Sequence, residues 1–218
     1  IFQPENLKNK NHKFVSRKIK QWFDFGTPAN LLDMDEDEKE RLKAFFLLSG
    51  KPMLYACNLK EEEIADSGSN PFLKPFQEWA DSQQDANCCV ISAKMEEELS
   101  ELLDDEAKEY LESMGVEDSG VSSLIKATYQ LLGLASFLTA GEKEARAWTF
   151  TQGMTAPQCA GVIHTDFEKN FIKAEVVSYD DLLKAGSMQL ARESGKLRLE
   201  GKEYLFVDGD VVLFKCNA

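Results

Sequence analysis

The sequence predicts an α/β protein of two domains, and three observations predict it. MLYACNL (53–59) and NCCVISAK (87–94) are short continuous apolar runs, the pattern of strands covered on both faces. Between them, PFLKPFQEWADSQ (71–83) carries Phe72, Phe76 and Trp79 on one helical side, completing a strand–helix–strand unit. The charge also changes along the chain. Residues 1–136 hold 15 basic and 26 acidic side chains and residues 137–218 hold 10 and 12, so most of the net charge of −13 precedes a boundary near residue 137.

Taken in order, residues 6–20 are basic and read as the tail of a helix or a loop, ending at Trp22, Phe23 and a Gly26-Thr27-Pro28 break. DEDEKERLKAFFLLSG (35–50) has acids at its start, Leu42, Phe45 and Phe46 at helical spacing, and Gly50 at its end, which predicts one helix. Between Glu96 and Glu112 the charges form a solvated face, with Leu99, Leu102, Leu103 and Leu111 opposite. VSSLIKATYQLLGL (121–134) is mostly apolar and predicts a buried helix. SFLTA and RAWTFTQ flank GEKEA (141–145) as a hairpin. Thr155 caps a helix over APQCAGVIH, FIKAEVV (171–177) reads as a core strand, and SYDDLLKAG forms a helical turn. YLFV and VVLFK frame Asp208-Gly209-Asp210 as two more strands.

Composition narrows the chemistry. Five cysteines (Cys57, Cys88, Cys89, Cys159, Cys216) form no CxxC pair and sit mostly in apolar runs, as buried thiols in a reducing compartment do. With only His12 and His164, a zinc site lacks ligands, so no metal site is expected within the chain. His164 suits the end of a helix, where it would satisfy terminal carbonyls. The acidic balance opposes generic polyanion binding, and no DNA partner is expected. No run of 18 apolar residues points to a membrane. The first residues lack a secretory signal and do not begin with Met, so the chain reads as a soluble piece of a longer protein.

Two parallel strands place Asn58 and Ser92 at the same carboxyl edge, where α/β sheets gather ligands. Taken alone, Asn58-Leu59-Lys60-Glu61 fits a cap for the next helix as well as a binding loop, and Ser92-Ala93-Lys94 is a weak motif.

In longer context these strings resemble the base-recognition loops of the Obg-like ATPases, the YchF family. FLTAGEKEARAWTFTQGMTAPQCAGVIHTDFEKNFIKAEVV and EGKEYLFVDGDVVLFK resemble the family's carboxy-terminal TGS domain. The resemblance spans roughly residues 35–217 and implies the carboxy-terminal half of a P-loop-type NTPase domain followed by a ubiquitin-like β-grasp unit. The implied boundaries are 1–47 for the remainder of a helical insertion, 48–134 for the nucleotide-domain half and 135–218 for the TGS domain.

GTPases generally read guanine with NKxD, whose aspartate accepts from N1 and N2; the family's NxxE implies a preference for ATP. The implied nucleotide-binding residues are Asn58, Leu59, Glu61, Ser92, Ala93 and Lys94. Asn58 offers a donor and an acceptor to the N6/N7 edge of adenine, Leu59 covers the base, and the longer Glu61 is displaced from the guanine-reading position. Ser92-Ala93-Lys94 closes over the base with backbone N–H groups, the Lys94 stem near the purine.

A GxxxxGK[ST] phosphate loop is not present in the sequence, so no catalytic residue is assigned and the chain alone is expected to be inactive. For the whole protein the resemblance implies slow ATP hydrolysis with Mg²⁺, held by residues outside this chain, a K⁺ dependence, a cytoplasmic location and ribosome or ribosomal RNA contact through the TGS domain. Lys169, Lys173, Arg192, Lys196, Arg198 and Lys202 form a loose basic set there. The alternative is a non-enzymatic TGS-containing module that binds RNA or protein.

Overall fold

The computed structural model describes residues 10–26, 28–83, 86–141 and 144–217. Positions 6–9 of the basic segment, Thr27, the side chain of His12 and positions 142–143 of the hairpin loop lie outside the described residues. The chain divides into compact units Ile1–Leu131 and Leu132–Ala218.

In the first unit, α1 (Lys10–Asp24) is a full helix where the sequence left helix or loop open. Its Val15 and Ile19 pack with Leu32 and Met34, and Leu42, Phe45 and Leu47 cover them. α2 (Glu36–Lys43) is capped by Asp35, whose carboxylate accepts from the Glu38 N–H at 2.8 Å. The helix expected through Gly50 stops at Lys43. Phe46 sits at φ 51°, left-handed for a non-glycine residue, which ends the helical path and leaves its ring exposed.

β1 (Met53–Asn58) and β2 (Ala86–Ile91) pair in parallel, in register from Met53 opposite Ala86 to Asn58 opposite Ile91. Between them lie α3 (Glu61–Ile64) and α4 (Leu73–Ser82). The expected burial on both faces is not observed. Met53, Ala56 and Asn58 are exposed and only Cys89 of β2 is buried, because among the described residues this sheet has two strands. Tyr55, Phe76 and Trp79 meet with ring centroids 5.4–5.5 Å apart. Phe72 does not join them; at the entry to α4 it is 81% exposed.

The acidic stretch forms two helices, α5 (Ala93–Ser100) and α6 (Asp104–Ser113). α7 (Gly120–Leu132) departs from the buried helix expected: Val121, Ile125 and Leu132 are exposed, and only Ala127 is buried. Its apolar residues face several sides, and one narrow stripe meets the unit. That start is close-packed: a Cβ on Gly120 would lie 3.1 Å from the Ile91 backbone.

The second unit is a five-stranded sheet in the order β4-β3-β7-β5-β6. Here β3 (Leu134–Ala140) and β4 (Ala145–Thr151) form the expected hairpin, and β3 runs parallel to β7 (Asp210–Cys216). β5 (Phe171–Ser178) is antiparallel to β7 and to β6 (Arg198–Glu200). α8 (Ala156–Ile163) lies against the sheet behind Thr155, whose N–H donates to Gln158 Oε1 at 2.8 Å. α9 (Thr165–Lys169), α10 (Tyr179–Ala185) and α11 (Met188–Glu193) complete the unit. Phe137, Phe150, Phe206 and Phe214 interlock at its centre, 5.4–6.1 Å between centroids. Trp148 packs against this core as expected, its Nε1–H donating to Thr139 Oγ1 and Arg146 lying over its ring at 4.1 Å.

Three expectations are corrected here. YLFV is not a strand. Its Phe206 N–H donates to Met154 O and its Tyr204 O accepts from Ala156 N–H, so the backbone is spent on the loop before α8. Asp210, 3% exposed, then folds residues 207–210 into a turn by accepting from the Val207 N–H at 3.0 Å and Tyr204 Oη at 2.7 Å. Gly209 at φ 80° closes that turn, and Asp208 accepts from the Ser136 N–H at 2.7 Å, tying it to β3. Ile172 is 48% exposed, because the register shifts between Phe171 and Lys173, whereas Phe171, Val176 and Val177 are core. His164 serves the helix after it rather than the one before. Its Nδ1 accepts from the Asp166 N–H at 3.2 Å, so the ring caps the start of α9.

Of the five cysteines expected to be buried, Cys89 and Cys159 are, while Cys57, Cys88 and Cys216 are half-buried; desolvation raises all five thiols, Cys159 to about 12. Phe137→Ala removes the fully buried hub of the aromatic cluster and is expected to cost about 3–5 kcal/mol of this unit's stability. Denaturant unfolding of the variant and the parent checks it.

Candidate functional site

The parallel register brings the carboxyl ends of β1 and β2 level, and three contacts lock them. Ile91 O accepts from the Leu59 N–H at 2.9 Å, extending the ladder one residue past Asn58. Asn58 Oδ1 accepts from the Ala93 N–H at 2.9 Å. Behind Ile91, Glu96 accepts from the Gly120 N–H at 2.6 Å, pinning α5 against the start of α7. Asn58, Leu59, Glu61, Ser92 and Lys94 line one depression of about 350 Å³ at this edge. All six residues singled out in the sequence are therefore neighbours, Ala93 through its bond to Asn58.

Their roles are redistributed. Asn58 was expected to offer both donor and acceptor, but its carbonyl is engaged by Ala93, leaving the Nδ2 donors to face outward. Lys94 reaches back across the edge: its Nζ lies 3.0 Å from Glu61 Oε2 and 3.5 Å from Glu98 Oε1. Ser92 is 2% exposed, and its Oγ has no hydrogen-bond partner. A buried hydroxyl left unpaired is costly.

Sequence reasoning missed two participants. Tyr110 Oη, on α6, lies 2.7 Å from Glu61 Oε1 and 2.7 Å from Glu98 Oε2. Glu98 had been absorbed into a solvated acidic face, and Tyr110 had not been singled out. The i,i+4 spacing of Lys94 and Glu98 was the available signal for one; nothing local marked Tyr110.

The electrostatics follow from these contacts. The Tyr110 hydroxyl and then Lys94 hold the Glu61 carboxyl below the usual glutamate range, and Glu61 in turn raises Lys94. The Glu98 and Glu61 carboxylates push the Tyr110 hydroxyl well above the ordinary tyrosine value.

In the second unit, half of the basic set is committed to acids. Arg192 bonds Glu175 at 2.8 Å, Lys196 lies 3.4 Å from Asp181, and Arg198 meets Asp210 at 3.3 Å and Glu200 at 3.6 Å. Lys169, Lys173 and Lys202 are exposed. Among the described residues no group of acids, cysteines and histidines could hold a metal ion, and no helix is long and apolar enough to cross a membrane.

Known proteins match this arrangement. Residues 134–217 match the YchF-GTPase_C family, described as a protein of unknown function (DUF933). The chain is 48% identical over 203 residues to the ribosome-binding ATPase YchF of Bacillus subtilis (strain 168), covering 93% of this chain and 55% of that protein. It is 41% identical over 204 residues to Obg-like ATPase 1 of Rattus norvegicus, covering 92% and 51%. The solved Schizosaccharomyces pombe YchF GTPase superposes with a TM-score of 0.78 at 32% identity, over 94% of this chain and 55% of that one. The chain spans about half the length of the curated relatives it matches.

A mixed α/β chain with these likenesses is a relative of proteins named as ATPases and as a GTPase. Within that class it belongs to the YchF and Obg-like ATPase family, and residues 134–217 are its YchF-type carboxy-terminal region.

Folding lowers the Glu61 pKa, so its contribution to stability is present above the unfolded-state value and is lost as pH falls through the lower folded value. A carboxyl NMR titration is expected to place the Glu61 midpoint below that of a glutamate in a free peptide. Tyr110→Phe should move it upward, because the hydrogen bond that contributes most is removed.

Proposed function

We propose that the edge formed by Asn58, Leu59, Glu61, Ser92, Ala93 and Lys94 is the adenine-reading part of an ATP-binding site, within a protein that hydrolyses ATP and associates with ribosomes. The observation that carries this reading is the Asn58 Oδ1 to Ala93 N–H bond. It fixes the amide so that its Nδ2–H points outward as a donor for purine N7, and it holds the two loops at a constant separation. Purine N7 is common to adenine and guanine, so Asn58 supplies affinity, and discrimination falls to the neighbouring residues. Leu59 supplies apolar cover for the ring.

Phosphate and Mg²⁺ contacts are assigned to a GxxxxGK[ST] loop that this sequence does not contain, so the chain by itself is expected to bind adenine nucleotides weakly and not to hydrolyse them. A potassium requirement and a cytoplasmic setting belong to the same reading of the whole protein. The relatives named as ribosome-binding ATPases support it.

The second unit is read as a ubiquitin-like β-grasp (TGS) domain. Its support is the five-stranded order with β3 parallel to β7 and α8 packed against the sheet. Exposed Lys169, Lys173 and Lys202 favour a contact of this unit with ribosomal RNA over one with neutral partners, and that contact should weaken with salt.

In the full 218-residue chain, millimolar AMP is expected to shift the backbone amide of Ala93 and the side-chain amide of Asn58 in ¹H–¹⁵N spectra. Asn58→Ala, which removes the N7 donor and the loop tie together, should weaken AMP binding by about tenfold or more. Equal shifts scattered over the surface, or AMP binding unchanged in Asn58→Ala, would refute the assignment.

A further inference from the structure

Glu61, Tyr110, Glu98 and Lys94 close a ring of contacts, and two of them, Glu61 and Lys94, line the depression. Tyr110 Oη touches Glu61 Oε1 and Glu98 Oε2 at 2.7 Å each, while Lys94 Nζ touches Glu61 Oε2 at 3.0 Å and Glu98 Oε1 at 3.5 Å. Each oxygen of Glu61 therefore has a partner: Oε2 has the Lys94 ammonium, and Oε1 has the Tyr110 hydroxyl, whose one proton is shared between Glu61 and Glu98. Tyr110 belongs to α6, away from the two loops, and reaches Glu61 across 49 positions of sequence. Glu61 has a side chain only 21% exposed, so the contacts hold a carboxylate with restricted access to water.

Resting on the adenine-site reading above, we infer that Tyr110 is a specificity-positioning residue: together with Lys94 it clamps both Glu61 oxygens, so that the carboxylate is withheld from a guanine edge. The physical reason is competition for acceptors. Guanine presents N1–H and N2–H side by side and is best bound by a carboxylate that accepts from both. To turn toward it here, Glu61 must give up its ion pair with Lys94 and its share of the Tyr110 proton, leaving both groups to Glu98. Adenine has no such donor pair and asks nothing of Glu61, so the clamp leaves it unaffected. Discrimination then comes from an occupied acceptor rather than from the length of the glutamate side chain alone.

The test compares AMP and GMP affinities of the full chain by ¹H–¹⁵N titration, read at Ala93, for the parent, Tyr110→Phe, Lys94→Met, and Tyr110→Phe combined with Glu61→Ala. Tyr110→Phe, which frees one Glu61 oxygen, is expected to raise GMP affinity about tenfold with AMP affinity unchanged. Adding Glu61→Ala should abolish that gain, showing that Tyr110 acts through Glu61. Lys94→Met frees the other oxygen and should move the GMP/AMP ratio in the same direction, which keeps the test alive if Tyr110→Phe fails to fold. An unchanged ratio in both single variants, or equal losses of AMP and GMP, overturns the clamp while leaving the adenine site standing. A parent chain that shows no AMP preference at Ala93 refutes the adenine-site reading and the clamp with it.

Discussion

The site depends on one constraint, the in-register parallel pairing of β1 with β2. The ladder sets Asn58 level with Ile91, and the Asn58 side-chain carbonyl then reaches two residues further to the Ala93 N–H. A slip of one residue would turn each side chain to the opposite face and carry Asn58 away from Ala93. Everything at the edge follows from that alignment: the outward amide donors, the depression of about 350 Å³, and the position from which Lys94 meets Glu61. The ladder is stabilised from behind by Gly120, where the absence of a side chain lets α7 approach the Ile91 backbone and bond Glu96.

Charge at this edge is arranged around acceptors rather than around net attraction. Two carboxylates, one ammonium and one phenol form a closed set, and the tyrosine proton and the lysine protons are divided between the same two acids. Such exposed pairs contribute little to folding in water. Their effect is geometric: they decide which way Glu61 points and which of its oxygens remain available. A residue that contributes modestly to stability can thus contribute strongly to selectivity, because a competing ligand must undo the arrangement before using it.

The second unit obeys a different logic, with one dense aromatic core and a buried acid at its corner. Asp210 accepts from Tyr204 and the Val207 N–H and meets Arg198, so a carboxylate 3% exposed is satisfied on several sides. Burial together with that acid raises Tyr204 to about 12 and contributes to the raised Cys159. Arg198 is therefore a structural cation, as Arg192 is toward Glu175. Half of the basic set visible in the sequence of this unit is paired with acids, and the other half is exposed.

What the sequence determined by itself was local or contiguous. Apolar runs located β1, β2, β3, β5 and β7, Thr155 marked the start of α8, and the strings around Asn58 and Ser92 marked one edge of the sheet, because strand burial, capping and loop chemistry are written in neighbouring residues. The tertiary structure alone decided the rest. Phe46 ended α2 early, Asp210 took YLFV out of the sheet, and the acids of Asp181, Glu175 and Asp210 claimed half of the basic set. Tyr110 reached Glu61 only because the fold brings α6 within hydrogen-bond distance of the end of β1 and of Glu98 on α5, and such long-range partners leave no periodic trace in the chain.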